Sequence, residues 1–396
     1  MKIPQKLENK KILIWGYGVE GRACKEFIDR LCDAESVEVF EGEYKDIDYD
    51  RYDYIIKSPG IPYRRLDKKI ISQTSLFLEE FRDNIIGVTG TKGKSTTSSL
   101  LYHTLKEAGK DVVLVGNIGV PPLSLYEEIK PDTIIVFEMS AHQLLNLKVS
   151  PHVAIYLNLY EDHLDFYENK ENYHKAKSMI AHNQLEGDYF YVGENVPDID
   201  TAATKNIMKF RSDDYMKITS IDGAHNRYNA AIVIRVASEI YHVDRCEARD
   251  YIETFSGLKH RLQRVYEADG ITYYDDSIST ICQSAILATE SIENAGTVLI
   301  GGMDRGIDYT DLEEFIRERK DVNFICMYES GKRVYNNVND CLNIFYCNDL
   351  QETVILAKKI TNKGKACILS PAAASYGYFK NFEERGDVFT RLVKGE

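Results

Sequence analysis

Among 396 residues there are 9 prolines, 8 cysteines and one tryptophan, and each scarcity excludes something. So little proline leaves no room for a proline-rich linker or a fibre. The cysteines, at 24, 32, 246, 282, 326, 341, 347 and 367, form no CxxC pairs. Neither a zinc site nor a disulfide framework is indicated, and reduced thiols in a cytoplasmic protein are expected. No apolar run approaches the roughly 18 residues that span a bilayer. The stretch Ile12 to Trp15, after a polar and lysine-rich start, is too short for a secretory signal. Positive charge is also in deficit, with 49 Lys and Arg against 62 Asp and Glu and a net charge of −13. That balance excludes a general nucleic-acid or membrane-surface binder. Anionic nucleotides remain possible ligands only through local devices such as a glycine loop, a helix N-terminus or a metal ion.

What is present is the composition of a soluble globular protein, 44% hydrophobic and 28% charged, at a length that suggests two or three domains. Strand-like apolar runs recur in three groups, with helical stretches between them. The first group runs from Lys11–Trp15 to Asp53–Lys57, with a helix expected over Arg22 to Leu31. The second holds Asn84 to Val88, Val112 to Val115, Thr133 to Phe137 and Val153 to Leu157, with a helix over Ser95 to Ala108. The third holds Thr297 to Ile300, Asn323 to Met327 and Ala366 to Leu369. Short, β-branched, continuously apolar runs suit strands covered on both faces. The expectation is therefore an α/β protein of three units with parallel sheets, 1–83, 84–259 and 260–396, with ligands at the C-terminal strand ends.

The strongest local signal is Gly90-Thr91-Lys92-Gly93-Lys94-Ser95-Thr96, placed between a strand and a helix. Glycines let backbone N–H groups turn onto phosphates, Lys94 adds a point charge, and a Ser95 or Thr96 hydroxyl reaches Mg²⁺. Val88 stands where the general phosphate-loop pattern has its first glycine, so a shorter Gly-Thr-x-Gly-Lys-Ser form remains. A second glycine turn, Gly16-Tyr17-Gly18-Val19-Glu20-Gly21, follows the first strand, with Glu38 and Glu41 at the spacing of a dinucleotide fingerprint. A nicotinamide dehydrogenase competes on that feature alone, but leaves the phosphate loop unexplained. Glu138-Met-Ser140-Ala-His142-Gln143 and Asn158-Leu-Tyr-Glu161-Asp162-His163-Leu-Asp165 end two further strands. They bring oxygen and imidazole groups beside the phosphate loop, where Mg²⁺ bridges nucleotide and substrate. Lys177, on a polar helix, reads by itself as a solvated charge.

These segments occur in one order with Gly223-Ala-His225-Asn226-Arg-Tyr-Asn229, Gly257-Leu-Lys-His260-Arg261, Asp276-Ser277, Gly301-Gly302, Leu369-Ser-Pro-Ala-Ala-Ala-Ser375 and Phe379-Lys-Asn-Phe382-Glu-Glu-Arg385-Gly386. The ordered set resembles the Mur ligases of peptidoglycan synthesis over nearly the whole chain. Within that family it is most similar to the member that joins glutamate to UDP-N-acetylmuramoyl-L-alanine. The resemblance implies a Rossmann-like N-terminal domain, a central ATPase domain and a Rossmann-like C-terminal domain. It also implies an ATP-dependent reaction through an acyl phosphate, with charge neutralisation mattering more than a strong base.

By similarity, Gly90 to Thr96 with Asn226, Asn229, Arg261 and Asp276 contact ATP. Ser95, Thr96 and Glu138 serve one Mg²⁺, while His163 and a carbamylated Lys177 serve a second. Lys94, Glu138, His163 and Lys177 form the catalytic set. Gly16, Gly18, Gly21, Ser58, Gly60, Asn117, Gln143 and His163 bind the UDP-sugar. Thr280, Arg305, Ser375 and Phe382 hold the incoming amino acid, D-glutamate being expected, in a monomer.

Several positions depart from the family pattern. Lys92 replaces an asparagine, His142 a phenylalanine for which packing is expected, Ile278 a lysine, and Arg305 the glutamate-binding lysine. Arginine can grip a carboxylate bidentately but does not simply substitute for lysine. L-glutamate or another acceptor, a folylpolyglutamate synthase and a catalytically silent nucleotide-binding regulator are the competing readings.

Overall fold

The computed structural model describes residues 2–63, 67–160, 164–208, 224–255 and 257–396. It falls into two compact units, Met1–Ile218 with His225–Glu253, and Thr254–Glu396 with Thr219–Ala224. Each is a layered α/β structure, as the apolar runs predict.

The first unit carries two sheets. One has the order β2-β1-β3-β4, all parallel, from β1 (Lys11–Trp15), β2 (Ser36–Phe40), β3 (Tyr54–Lys57) and β4 (Ile70–Ile71). The other has the order β10-β9-β8-β5-β7-β6, from β5 (Ile85–Thr89), β6 (Val112–Gly116), β7 (Ile134–Glu138), β8 (Val153–Tyr156), β9 (Tyr189–Gly193) and β10 (Thr204–Met208). Its ladders are also parallel. Every residue of β5 and β8 is buried, because helices cover both faces of an all-parallel sheet. One apolar core joins the two sheets, running from Ile3, Leu7, Phe27 and Leu76 to Phe77, Phe137, Tyr156 and Ile180. The site follows from the strand order. β5 lies between β7 and β8, with Val88 opposite Glu138 and Thr89 opposite Tyr156. Whatever leaves the C-terminal ends of these strands must converge.

The second unit has a six-stranded sheet of order β11-β12-β16-β13-β14-β15: β11 (Gln263–Ala268), β12 (Ile271–Asp275), β13 (Ala295–Ile300), β14 (Asn323–Met327), β15 (Ile344–Cys347) and β16 (Ala366–Leu369). It is not wholly parallel, because β11 runs antiparallel to β12 at one edge. Asp269 (φ 54°) and Gly270 (φ 79°) make the connection. An Asp-Gly pair with both φ positive matches the right-handed strand twist of a tight hairpin. The expected helix over Arg22–Leu31 starts earlier, at Val19, so its N-terminus falls inside the first glycine turn.

Candidate active site

The phosphate loop leaves β5 at Thr89 and enters the helix Lys94–Glu107. Gly90 (φ 155°) and Gly93 (φ 83°) both take conformations that side chains rarely adopt. A Cβ on Gly93 would also lie 3.0 Å from Oδ1 of Asn229, which is buried against the loop. Asn229 thus lies beside the expected nucleotide loop, and Asn226 is on the same helix, Ala224–Tyr241. Lys94 Nζ donates to the carbonyls of Gly90 (3.0 Å) and Thr91 (3.1 Å), lying across the loop. Ser95 and Thr91 are buried, Thr96 is half-buried, and the Lys92 side chain is exposed.

Glu138 ends β7 with no solvent exposure. Its Oε1 accepts from Asn117 Nδ2 (3.0 Å), while its Oε2 is buried with no hydrogen-bond partner among the described residues. A buried carboxylate oxygen without a donor is costly unless a cation takes it up. Its position beside the phosphate loop therefore fits a hard divalent ion with oxygen ligands. Lys177 lies on the helix Lys170–His182. It is not a solvated charge but 1% exposed, with Nζ 2.9 Å from the Gly90 carbonyl, 3.4 Å from Thr89 Oγ1 and 4.7 Å above the Tyr173 ring. Among the described residues no group of three or more His, Cys, Asp or Glu could hold a metal. Glu161, Asp162 and His163, including the expected second-metal ligand, lie outside the described residues, as does Gly223. His142 packs as expected, its ring 4.4 Å from Phe166 and 5.4 Å from Tyr167.

The first glycine turn is a close-packed corner. A Cβ on Gly21 would sit 2.1 Å from the Gly16 carbonyl oxygen, whereas one on Gly18 or Gly60 would meet nothing within 4 Å. Ser58 Oγ donates to that same Gly16 carbonyl at 2.9 Å. Gln143 is tied to this corner in a way the motifs do not disclose. Its Nε2 donates to Glu20 Oε1 (2.7 Å), and its Oε1 accepts from Ser140 N (2.9 Å) and Ser140 Oγ (3.0 Å). Burial raises the Glu20 pKa, against the bond from Gln143 and the charge of Lys57. Burial likewise pulls Lys57 down to about 8, against the charge of Glu20. Asn117, expected with the UDP-sugar set, donates its side-chain amide to Glu138.

In the second unit, Asp276 is buried. It accepts from Leu262 N (3.1 Å), Ser370 Oγ (2.7 Å) and Ser279 Oγ, and burial raises its pKa to about 6. Arg261 is exposed beside this loop. Arg385, fully buried, binds Ser277 and Ala373, and Ser277 Oγ donates to the Phe382 carbonyl (2.7 Å). Met303 N donates to Ala374 O (2.9 Å), tying the loop that carries Arg305 to the segment that carries Ser375. Ser375 is buried, Thr280 and Phe382 are half-buried, and Arg305 is exposed. The four expected amino-acid positions thus flank one buried hydrogen-bonded frame.

A phosphate loop on a fully buried parallel strand, with an unsatisfied carboxylate and a buried lysine at its lip, is equipment for activating a substrate with a nucleoside triphosphate. The sequence matches the Mur ligase middle domain over residues 88–243. It is 32% identical to the UDP-N-acetylmuramoylalanine–D-glutamate ligase of Lactobacillus acidophilus, over 100% of this chain and 99% of that one. It is 31% identical to the UDP-N-acetylmuramoyl-L-alanine–L-glutamate ligase of Salinispora tropica, over 98% of each. The MurF ligase of Thermotoga maritima, solved with ADP, shares the fold at a TM-score of 0.59 and 17% identity, over 99% of this chain and 97% of that one. The chain belongs to the Mur ligase family. It is an ATP-dependent ligase that forms carbon–nitrogen bonds, which removes the dehydrogenase alternative. No helix among the described residues is long and apolar enough to cross a membrane.

Proposed function

We propose that the protein joins D-glutamate to UDP-N-acetylmuramoyl-L-alanine in the cytoplasm, as a monomer using ATP and two Mg²⁺ ions. The observation that carries this reading is 31–32% identity, over 100% of this chain and 99% of theirs, to ligases named for that reaction. The alanyl carboxylate attacks the γ-phosphorus of ATP and releases ADP. The amine of glutamate then attacks the acyl carbon, and inorganic phosphate leaves as the amide forms. Mg²⁺ supplies charge neutralisation for the transferring phosphoryl group.

In this reading, Lys94 and the loop from Gly90 to Thr96 hold the phosphates, and Glu138 with Ser95 and Thr96 serves the nucleotide-side ion. His163 and Lys177, carbamylated, serve the other. A carbamate replaces an ammonium that repels Mg²⁺ with an anionic oxygen. Domain 1–83, with Gly16, Gly18, Gly21, Ser58 and Gly60, takes the UDP-sugar. Domain 84–259 takes ATP, and domain 260–396 takes glutamate at Thr280, Arg305, Ser375 and Phe382. Asn226, Asn229, Arg261 and Asp276 complete the nucleotide site.

L-glutamate is the second reading, favoured by nearly equal identity to an L-glutamate ligase. An acceptor screen with resolved D- and L-amino acids and mass detection of the product separates the two. Ligation of L-glutamate in preference to the D-form would overturn the first reading.

A further inference from the structure

Two residues beyond β8, Asn158 grips the phosphate loop from outside. Its Oδ1 accepts from Lys92 N (2.9 Å) and its Nδ2 donates to the Lys92 carbonyl (3.0 Å), so its amide pairs with Lys92 as a neighbouring strand would. Its own carbonyl accepts from Thr91 N (3.0 Å). Two residues on, Tyr160 repeats the grip: Thr91 Oγ1 accepts from Tyr160 N (3.0 Å) and donates to Tyr160 O (3.3 Å). The gripping segment is itself held. Leu157 N donates to Thr89 O (2.9 Å), and Asn195 exchanges two hydrogen bonds with the backbone of Leu159, at 3.4 and 3.3 Å. These bonds use the N–H groups of both Thr91 and Lys92, so the amides that meet phosphate are those from Gly93 onward, at the start of the Lys94–Glu107 helix.

We propose that Asn158 is a positioning residue for ATP. It clamps the Thr91–Lys92 arm of the loop against the end of β8, holding the phosphate cradle open in front of the helix N-terminus. It acts through the Lys92 backbone and not through the Lys92 side chain. The inference rests on the assignment of Gly90 to Thr96 as the nucleotide loop.

The test is ATP binding and steady-state kinetics of the full chain carrying Asn158→Ala or Asn158→Asp, each also in a Lys92→Ala background. Asn158→Ala removes both side-chain hydrogen bonds, and at their usual net worth ATP binding weakens by about tenfold to thirtyfold. The KM for the UDP-muramoyl substrate stays within about twofold, and the thermal midpoint without nucleotide falls by only a few degrees. Asn158→Asp keeps the shape and the acceptor arm but loses the donor and adds a negative charge, so it also weakens ATP, even if the alanine variant does not fold. The loss persists when Lys92 is alanine. Wild-type ATP affinity in Asn158→Asp, an equal rise in both KM values, or disappearance of the effect in the Lys92→Ala background overturns the proposal. A wild-type protein that fails to bind ATP overturns the loop assignment itself, a different failure.

Discussion

Arg385 lies on the first turns of the helix Phe382–Lys394 with no solvent exposure, and replacing it is the sharpest test of the second unit. Its Nε donates to Ser277 Oγ (3.0 Å), Nη2 to Ser277 O (2.7 Å) and Nη1 to Ala373 O (3.0 Å). Ser277 N in turn donates to Asp275 Oδ1 (2.9 Å), and Asp275 Oδ2 pairs with His260 Nδ1 (2.7 Å). Arg385→Met keeps the stem and removes the charged fork. Hydrogen bonds from a charged donor contribute about 1.5–3 kcal/mol each, so three are worth about 4.5–9 kcal/mol. Against this stands the cost of burying the guanidinium. Burial lowers its pKa to about 10, against the charge of Asp275, a shift that converts to about 3 kcal/mol. The net loss is about 2–6 kcal/mol. Arg385→Lys, a point charge that cannot span both carbonyls, falls between wild type and Arg385→Met. Urea unfolding followed by far-ultraviolet circular dichroism reads the loss, while emission from the single tryptophan, Trp15, follows the first unit separately. Because Arg385 fastens the segments that carry Thr280, Phe382 and Ser375, the KM for glutamate also rises at least tenfold. A methionine variant that unfolds at the wild-type urea midpoint with an unchanged glutamate KM would refute this reasoning.

Glu138→Gln should lower turnover at least about a hundredfold. Its folding stability should stay within about 1 kcal/mol of wild type, because an unsatisfied buried charge is removed while the Asn117 bond is kept. Retained turnover would exclude Glu138 as an ion ligand. Lys177→Ala should abolish most turnover, and short carboxylates such as formate should restore part of it; unchanged turnover rules out the ligand role. Asp276 titrates near 6 in the folded chain against 3.8 when unfolded, so its contribution is full below about pH 3.8 and is lost as pH rises through 6. Relative to Asp276→Asn, wild type should therefore lose about 2.4 kcal/mol of stability between pH 4 and pH 7. A wild-type-minus-variant difference in unfolding free energy that stays flat across that range contradicts the burial argument.

The parts of the site built from consecutive residues were legible in the sequence. β5 is a run of apolar residues ending at a glycine loop, and glycine with lysine at that junction has few other uses. The packing of His142 followed from its replacing an apolar residue. The hairpin joining β11 and β12 was missed although Ala268-Asp269-Gly270 carries its turn signal between two alternating runs. The burial of Lys177 was hidden because its helix is otherwise polar, and only the end of β5 supplies its partner. The Asn158 clamp, the Glu20–Gln143 bond and the Arg385 frame join residues 66, 123 and 108 positions apart. Such bonds between distant segments leave no periodicity or spacing to read. The motif that contains Asn158 drew attention to its acidic and histidine members, whereas the asparagine beside them fixes the loop.

Incubating the protein with ATP, Mg²⁺, UDP-N-acetylmuramoyl-L-alanine and D-glutamate, and following ADP together with the mass of the nucleotide product, tests the ligase reaction itself. One ADP is expected for each product heavier by one glutamyl residue, with neither formed when the amino acid is withheld. ADP released equally without glutamate, and no amide product, would contradict it.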